Sequence, residues 1–432
     1  MFASQVLKGN DILIQVPSNL ALSTSTSTDT VYDLKLLSMM TDEGKKIYRE
    51  ATWWAKISLQ LNYLDKTSIS LDSKKSNTDS DNINKQQTTD MVPWLQSLPR
   101  QFSTPIHWSV SALDELQYPF LIKAVQTQRE TWQSEFTQLQ TCFLPSVSWI
   151  QKITLDDFIW GCECARSRAF SGKYSGNAFN PTPYAFTLLL VTTYIGLNLG
   201  SIEQAANGAG LVLCGSILKD FILPKLNKAQ RHVICPLIDM SNHVGSRPQG
   251  DVAFEYFGDC YSMAIHRDEN VQMNQEVYIS YGPRSNDQLL QYYGFVEKDN
   301  PYDVYVMPPL REWDIDSLER VCGQRFDVGS LQKLDTMGLL DRVVLITRGS
   351  GVDADTMSTL RTLISANDKA TDDSIECKAR LVLKTALESE LKTKPTTWEQ
   401  DRDTLLKKKD GSFATLFRLE KKKLLLETLQ TL

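Results

Sequence analysis

The chain of 432 residues is short of paired cysteines. Its eight cysteines are scattered, and the close pair Cys162 and Cys164 has no second pair at zinc-finger spacing. That excludes a disulfide scaffold and a ribbon-type zinc site, and leaves small buried thiols in a reducing, intracellular setting. Basic charge is in deficit too: 46 Lys and Arg against 52 Asp and Glu give a net charge of -6. A general nucleic-acid binder shows the opposite balance, so no nucleic-acid partner is expected. Two basic runs, Lys407–Lys409 and Lys421–Lys423, read as solvated helix faces. There are four histidines, too few to build on, and none is assigned as a general base. No apolar run reaches the roughly 20 residues that span a bilayer. Met1-Phe2-Ala3-Ser4 lacks the charged start of a signal peptide.

What is present is a sequence of clear local patterns. Lys8-Gly9-Asn10 reads as a turn, Ile12, Ile14 and Val16 as one face of a strand, and Pro17 as its stop. Ser23 to Thr30 reads as loop, and Asp42 to Leu64 has helical spacing through Ile47, Trp54, Ile57 and Leu61. Residues 65–90 are polar, low in complexity and read as a disordered insert. Leu121 to Gln140 and Leu155 to Phe170 read as helices. The segment 181–223 reads as an apolar hairpin, with runs at Tyr184 to Leu199 and Ala205 to Leu218; burial against the helices is set against a membrane contact by 184–218. Beyond Asn300 the spacing is helical, as in Leu360-Leu363-Ile364 and Ala379-Val382-Leu383-Ala386-Leu387, and ends in one long run from Phe413 to Leu429. Periodicity there says only helical bundle.

Four stretches carry more than periodicity. They are Pro236-Leu237-Ile238-Asp239-Met240-Ser241-Asn242-His243, Val277-Tyr278-Ile279-Ser280-Tyr281-Gly282-Pro283, Tyr292-Tyr293-Gly294-Phe295, and Arg166-Ser167-Arg168-Ala169-Phe170. Together with Trp94-x3-Leu98-Pro99, Phe102, Pro105 and Trp108, they resemble SET-domain methyltransferases of the plant Rubisco large-subunit lysine methyltransferase subfamily. The resemblance implies an α+β fold: a β-rich SET domain with knotted strands over 1–297, split by a helical insertion at about 31–230. An all-α substrate-binding domain then covers 300–432. It also implies S-adenosylmethionine as methyl donor, no metal, a protein substrate held by the helical domain, and a monomer. Zinc-binding cysteine clusters, common in other SET families, are absent from this subfamily, in keeping with the cysteine pattern.

Site residues follow by position. A lysine amine has a reference pKa of about 10.4, so transfer requires losing a proton and aiming the lone pair at a sulfonium methyl. Tyr281 matches the catalytic tyrosine, whose hydroxyl would meet the target nitrogen. Arg168, Asn242 and His243 match donor-binding positions, Arg168 by its fork to a carboxylate. Asp239, Phe254 and Tyr293, with Arg168 and Tyr281, are assigned to the substrate channel. The plain alternatives are a rim salt bridge for Arg168, a strand-end tyrosine for Tyr281 and core packing for Tyr293. The family's Gly-x-Gly donor turn should precede the first hairpin, where Met1-Phe2-Ala3-Ser4 stands, so a start at an internal methionine is expected. Three readings remain open: a lysine methyltransferase on a non-histone protein, a histidine methyltransferase, and a non-catalytic SET scaffold. The compartment, plastid or cytoplasm, is open as well.

Overall fold

The computed structural model describes residues 1–26, 28–71, 90–172, 187, 193, 230–245, 250–257, 260–365, 371–407 and 412–432. All of the apolar segment 181–223 except residues 187 and 193, and most of the low-complexity stretch, lie outside them. Among the described residues no helix is long and apolar enough to cross a membrane. The chain divides into two compact units, 1–101 with 132–280, and 102–131 with 281–432. The division falls after Ser280 rather than near residue 297, and it assigns the Trp108 region to the second unit.

In the first unit the opening turn forms as the sequence predicts. Asp11 N–H donates to the Lys8 carbonyl at 3.0 Å, and Asn10 takes a left-handed φ of 70°. Gly9 is required there, because a Cβ would stand 2.0 Å from the Arg267 carbonyl oxygen. Strand β1, Ile12–Pro17, pairs antiparallel with β7, Cys260–Ile265, which pairs with β6, Val252–Phe257. Tyr261, Met263 and Ile265 of β7 are buried in alternation. The first three residues of the stretch expected to be loop belong to β2, Leu22–Ser25, which pairs with β4, Arg231–Ile234; β3, Phe170–Gly172, lies on the other side of β4. Leu22 and Thr24 point inward, but four residues of Leu-Ser-Thr-Ser carry too little apolar signal to announce a strand.

The helices of this unit begin with α1, Val31–Leu37, α2, Asp42–Glu50, and α3, Trp53–Leu71. The single helix expected from Asp42 is therefore two, separated at Ala51, whose ψ of 154° is extended. α3 runs on through Asp65 to Leu71, so the first seven residues of the stretch read as disordered are helical. Salt bridges of Asp65 to Arg100 (2.7 Å) and Lys66 to Asp157 (2.8 Å) hold that last turn. A further helix, α4, covers 90–97. α5, Val110–Asp114, belongs to the second unit, and α6, Pro119–Gln140, contributes residues to both.

α7, Leu155–Arg168, starts at a capping box between Thr154 and Asp157 and packs on α3. The close approach depends on Gly161, where a Cβ would meet the Ser58 hydroxyl at 2.3 Å. The Ser58 hydroxyl donates to the Phe158 carbonyl at 2.7 Å, and Asn62 donates to the Asp157 carbonyl at 3.0 Å. Cys162 and Cys164 are buried on this helix, and burial raises both thiol pKa values, as suits inert packing.

His232 of β4 is buried against Trp53, with ring centroids 4.3 Å apart, and its Nδ1 is 2.7 Å from the Ser171 hydroxyl. Burial, then the charge of Arg166, lowers its pKa to about 4. The folded state therefore binds fewer protons here than the unfolded state between about pH 4 and 6.5, and this contribution to stability is lost as pH falls through that window. Unfolding free energy should drop by about 2 kcal/mol between pH 7.5 and 5. Urea titrations of the parent and of His232→Phe test this. An unchanged slope in the variant would locate the effect elsewhere.

The second unit is built on one apolar cluster that includes Tyr305, Leu318, Val344, Ile346, Leu360, Leu383, Phe417 and Leu424. It contains α8, Asn286–Tyr293, α9, Ile315–Cys322, α10, Val328–Thr336, α11, Ala354–Ser365, α12, Asp372–Lys392, α13, Trp398–Lys407, and α14, Phe413–Thr431. The helical core positions expected in 360–387 are buried. Periodicity did not reveal the three short antiparallel strands β9, Val304–Met307, β10, Val344–Thr347, and β11, Gly351–Val352.

The reading of Lys421–Lys423 as a solvated face fails at Lys421 and Lys422, which are buried. Lys421 Nζ reaches Asp287, Asp303 Oδ1 at 2.8 Å and the Val304 carbonyl at 2.5 Å. Lys422 Nζ lies 2.5 Å from Asp401 Oδ2, and Arg418 Nε lies 2.8 Å from Asp401 Oδ1. Fixed carboxylates turn a basic run inward, and no property of the run itself shows this.

Candidate functional site

Each unit carries part of the constellation that the sequence singled out. In the first unit, the chain leaves β4 through Cys235-Pro236-Leu237 into a 3-10 turn, Ile238–Met240. Leu237 has φ 72° and ψ -43°, a region that side-chain sterics disfavour, so this entry is strained. The turn is pinned by Asp239 N–H donating to the Cys235 carbonyl at 3.0 Å. It presents the Asp239 carboxylate to the last residue of α7. Arg168 Nη1 donates to Asp239 Oδ2 at 2.9 Å and to the Asp239 carbonyl at 3.3 Å, while Trp94 Nε1 donates to Oδ1 at 3.2 Å.

The Asp239 side chain has no exposed surface. Burial raises its pKa, and Arg168 and Trp94 act against that rise. Asp239, expected to line the substrate channel, is thus paired with Arg168 through its carboxylate. Arg168 keeps about a fifth of its side chain exposed, at 19%. Its Nε is buried and finds no acceptor among the described residues. A buried guanidinium N–H without a partner is costly, and a carboxylate is the group that satisfies it best.

Strand β5, Asn242–His243, follows directly and pairs in parallel with β8, Tyr278–Ile279. The Asn242 side chain is exposed and donates to Glu276 Oε1 at 2.6 Å, while its backbone pairs with Tyr278. β8 is held from a second direction. Asp251 N–H donates to the Tyr278 carbonyl and Asp251 Oδ2 accepts from Tyr278 N–H, both at 2.9 Å. Gly250, at φ 69°, permits this approach, since a Cβ would stand 2.8 Å from Ser280 N. Phe254 on β6 is half-buried and stacks on Phe170 at 4.1 Å and parallel to Tyr261 at 5.7 Å.

In the second unit, Tyr281 and Tyr293 stack with centroids 4.7 Å apart and planes at 19°. Both are half-buried. Tyr281 is anchored by Arg284 Nε donating to its carbonyl at 3.1 Å, and Asn300 donates to the Arg284 carbonyl at 2.8 Å. Tyr293 ends α8, which Gly294 terminates at φ 76°. At the other end of α8, Asn286 donates to both Asp303 carboxylate oxygens and exchanges hydrogen bonds with the Glu297 backbone. Lys421 reaches Asp287 in the same turn.

The structure thus joins Arg168 with Asp239, and Tyr281 with Tyr293. Trp94 stands in a motif without an assigned role, and the solvated-face reading of Lys421 does not survive. A tryptophan in a polar-flanked helix is a usable signal for a buried N–H looking for an acceptor; the lysine gave no such signal.

No family model matches the chain. Over 258 residues, 58% of this chain, it is 24% identical to the chloroplastic [fructose-bisphosphate aldolase]-lysine N-methyltransferase of Arabidopsis thaliana, covering 42% of that protein. Over 219 residues it is 24% identical to the chloroplastic ribulose-1,5-bisphosphate carboxylase/oxygenase large subunit N-methyltransferase of Pisum sativum, covering 34% of it. The chain therefore aligns with less than half the length of these relatives. The structure resembles the SET domain of LSMT bound to lysine and AdoHcy with a TM-score of 0.59 and 19% identity, over 100% of this chain and 83% of that one. At that identity the likeness establishes the fold.

Proposed function

We propose that this chain, which has the SET-domain fold of Rubisco LSMT, is a protein-lysine N-methyltransferase that uses S-adenosylmethionine and acts on a non-histone protein. The observation that carries the reading is Arg168: a guanidinium oriented by a buried carboxylate, partly exposed, with one buried N–H still lacking an acceptor. That arrangement suits the amino-acid carboxylate of the donor. The similarity to named lysine N-methyltransferases supports the same choice.

When bound, the donor supplies an electrophilic methyl group on a sulfonium. The residues of the chain do the rest. Arg168 holds the donor's carboxylate, Asp239 acts as its positioning residue, and Asn242 and His243 contribute further donor contacts. The Tyr281 hydroxyl oxygen accepts an N–H of the target amine and so aims its free lone pair, and Tyr293 and Phe254 give aromatic walls to the lysine stem. The cationic sulfonium also favours the neutral amine, which is the reactive form. No metal enters this scheme. The helical second unit holds the protein substrate, the chain works as a monomer, and the plastid is its compartment, as for the two chloroplastic relatives.

Calorimetric titration with S-adenosylmethionine tests the proposal. One site per chain is expected, and Arg168→Ala should weaken it about tenfold or more, as for a lost charge-assisted hydrogen bond. Absence of measurable binding would favour a non-catalytic scaffold.

A further inference from the structure

The second unit contains a cavity of about 300 Å³ that none of the residues discussed above as donor or lysine contacts lines. It lies between the segment leading into α9 and the C-terminal half of α12. Its apolar floor comes from Met307, Leu318 and Ala386, all buried. Trp313 forms a wall, half-buried, with its indole N–H fixed on the Pro308 carbonyl at 3.0 Å. Glu312 and Asp314, on either side of Trp313, are exposed at the rim.

The charge balance of this cavity is one-sided, because no lysine or arginine is among the residues that line it. The neighbouring Arg311 is engaged by Asp335 and Asp341 instead. A third lining carboxylate, Glu390, is already satisfied: Lys394 Nζ lies 2.6 Å away and the Tyr305 hydroxyl donates to it at 2.5 Å. Two rim carboxylates therefore flank an aromatic face above an apolar floor. Such a setting fits one chemical class: a cation carried on an aliphatic stem, with the stem on the floor and the charge over the indole. The volume is within the range of small-ligand pockets.

We infer that this cavity is a docking site for a basic side chain, arginine or lysine, of a protein partner, separate from the lysine that would be methylated. As an anchor for the substrate it deepens the reading above and rests on it, but the binding itself can be measured without any methyl transfer. Nα-acetyl-argininamide is the probe, since arginine is not a substrate under that reading. The Trp313 indole N–H resonance, assigned through Trp313→Phe, is the readout.

The expected result is a saturable shift at low salt that is suppressed in 0.5 M sodium chloride, where the Debye length is only about 4 Å. Glu312→Gln/Asp314→Asn should weaken binding about fivefold, in line with two exposed ion pairs. This double variant keeps the fold, because Asp314 caps α9 by accepting from Ser317 N–H at 3.1 Å and asparagine caps equally well. The neutral citrulline analogue should give no shift. An equal shift with citrulline, an unchanged affinity in the double variant, or no shift at all would each overturn the inference, whatever donor calorimetry shows.

Discussion

Replacing Tyr281 with phenylalanine is expected to leave donor binding unchanged and to slow methyl transfer about 10²-fold or more, the usual loss for a preorganised hydroxyl at the reacting centre. The separation of effects follows from the geometry. The ring of Tyr281 stacks on Tyr293 at 4.7 Å, and its carbonyl is held by Arg284; neither contact uses the hydroxyl. Phenylalanine retains the ring stack and the carbonyl contact and removes the hydroxyl. Single-turnover transfer of labelled methyl to proteins of a cell extract, beside calorimetry with the donor, resolves the two quantities. A variant that transfers at the parental rate would remove Tyr281 from the mechanism. A variant that loses donor binding as well would show that the hydroxyl supports the fold.

Lys421→Met should cost about 3–5 kcal/mol of stability, the range for breaking a buried ion pair from one side. The loss is large because two carboxylates, Asp287 and Asp303, share this ammonium among residues that are almost fully buried. Burial disfavours charge on Lys421, but the two carboxylates outweigh it and hold its pKa above the usual lysine value. Asp287 also has an oxygen, Oδ1, that lacks a hydrogen-bond partner among the described residues, so it has little to fall back on when the cation is gone. Asp303 fares better, since Asn286 donates to both of its oxygens. Lys421→Met/Asp287→Asn should accordingly recover part of the loss, which urea denaturation would register. A single variant within 1 kcal/mol of the parent would mean that water reaches the cluster. The same cluster holds the first turn of α8, so Tyr293 at the far end of that helix should lose order alongside stability.

Local signals were legible where the chemistry is local. The turn before β1 and the core periodicity of α12 could each be read from a few neighbouring residues, and so could the family resemblance that placed Tyr281 and Arg168. What escaped has partners far along the chain. Leu22–Ser25 becomes a strand because of Arg231–Ile234. Lys421 is buried because of Asp287 and Asp303, more than a hundred residues earlier. Asp239 carried a channel assignment because its motif position was visible, whereas the arginine it orients lies 71 residues upstream. The break at Ala51 has no glycine or proline to mark it, so the spacing of apolar residues ran straight across it.

The pairing of β2 with β4 bears on how the protein is made. Ser25 pairs with Arg231, 206 positions later (231 minus 25), and Leu22 with Ile234. At a synthesis rate of roughly 5–20 residues per second, the nascent β2 waits about 10–40 s for its partner. β1 waits longer still, since β7 begins at Cys260. Through that interval two strand edges rich in unpaired amides stand open to other chains. Yield in a cell should then depend on holdase chaperones acting on the N-terminal segment during translation, far more than on the stability of the finished fold.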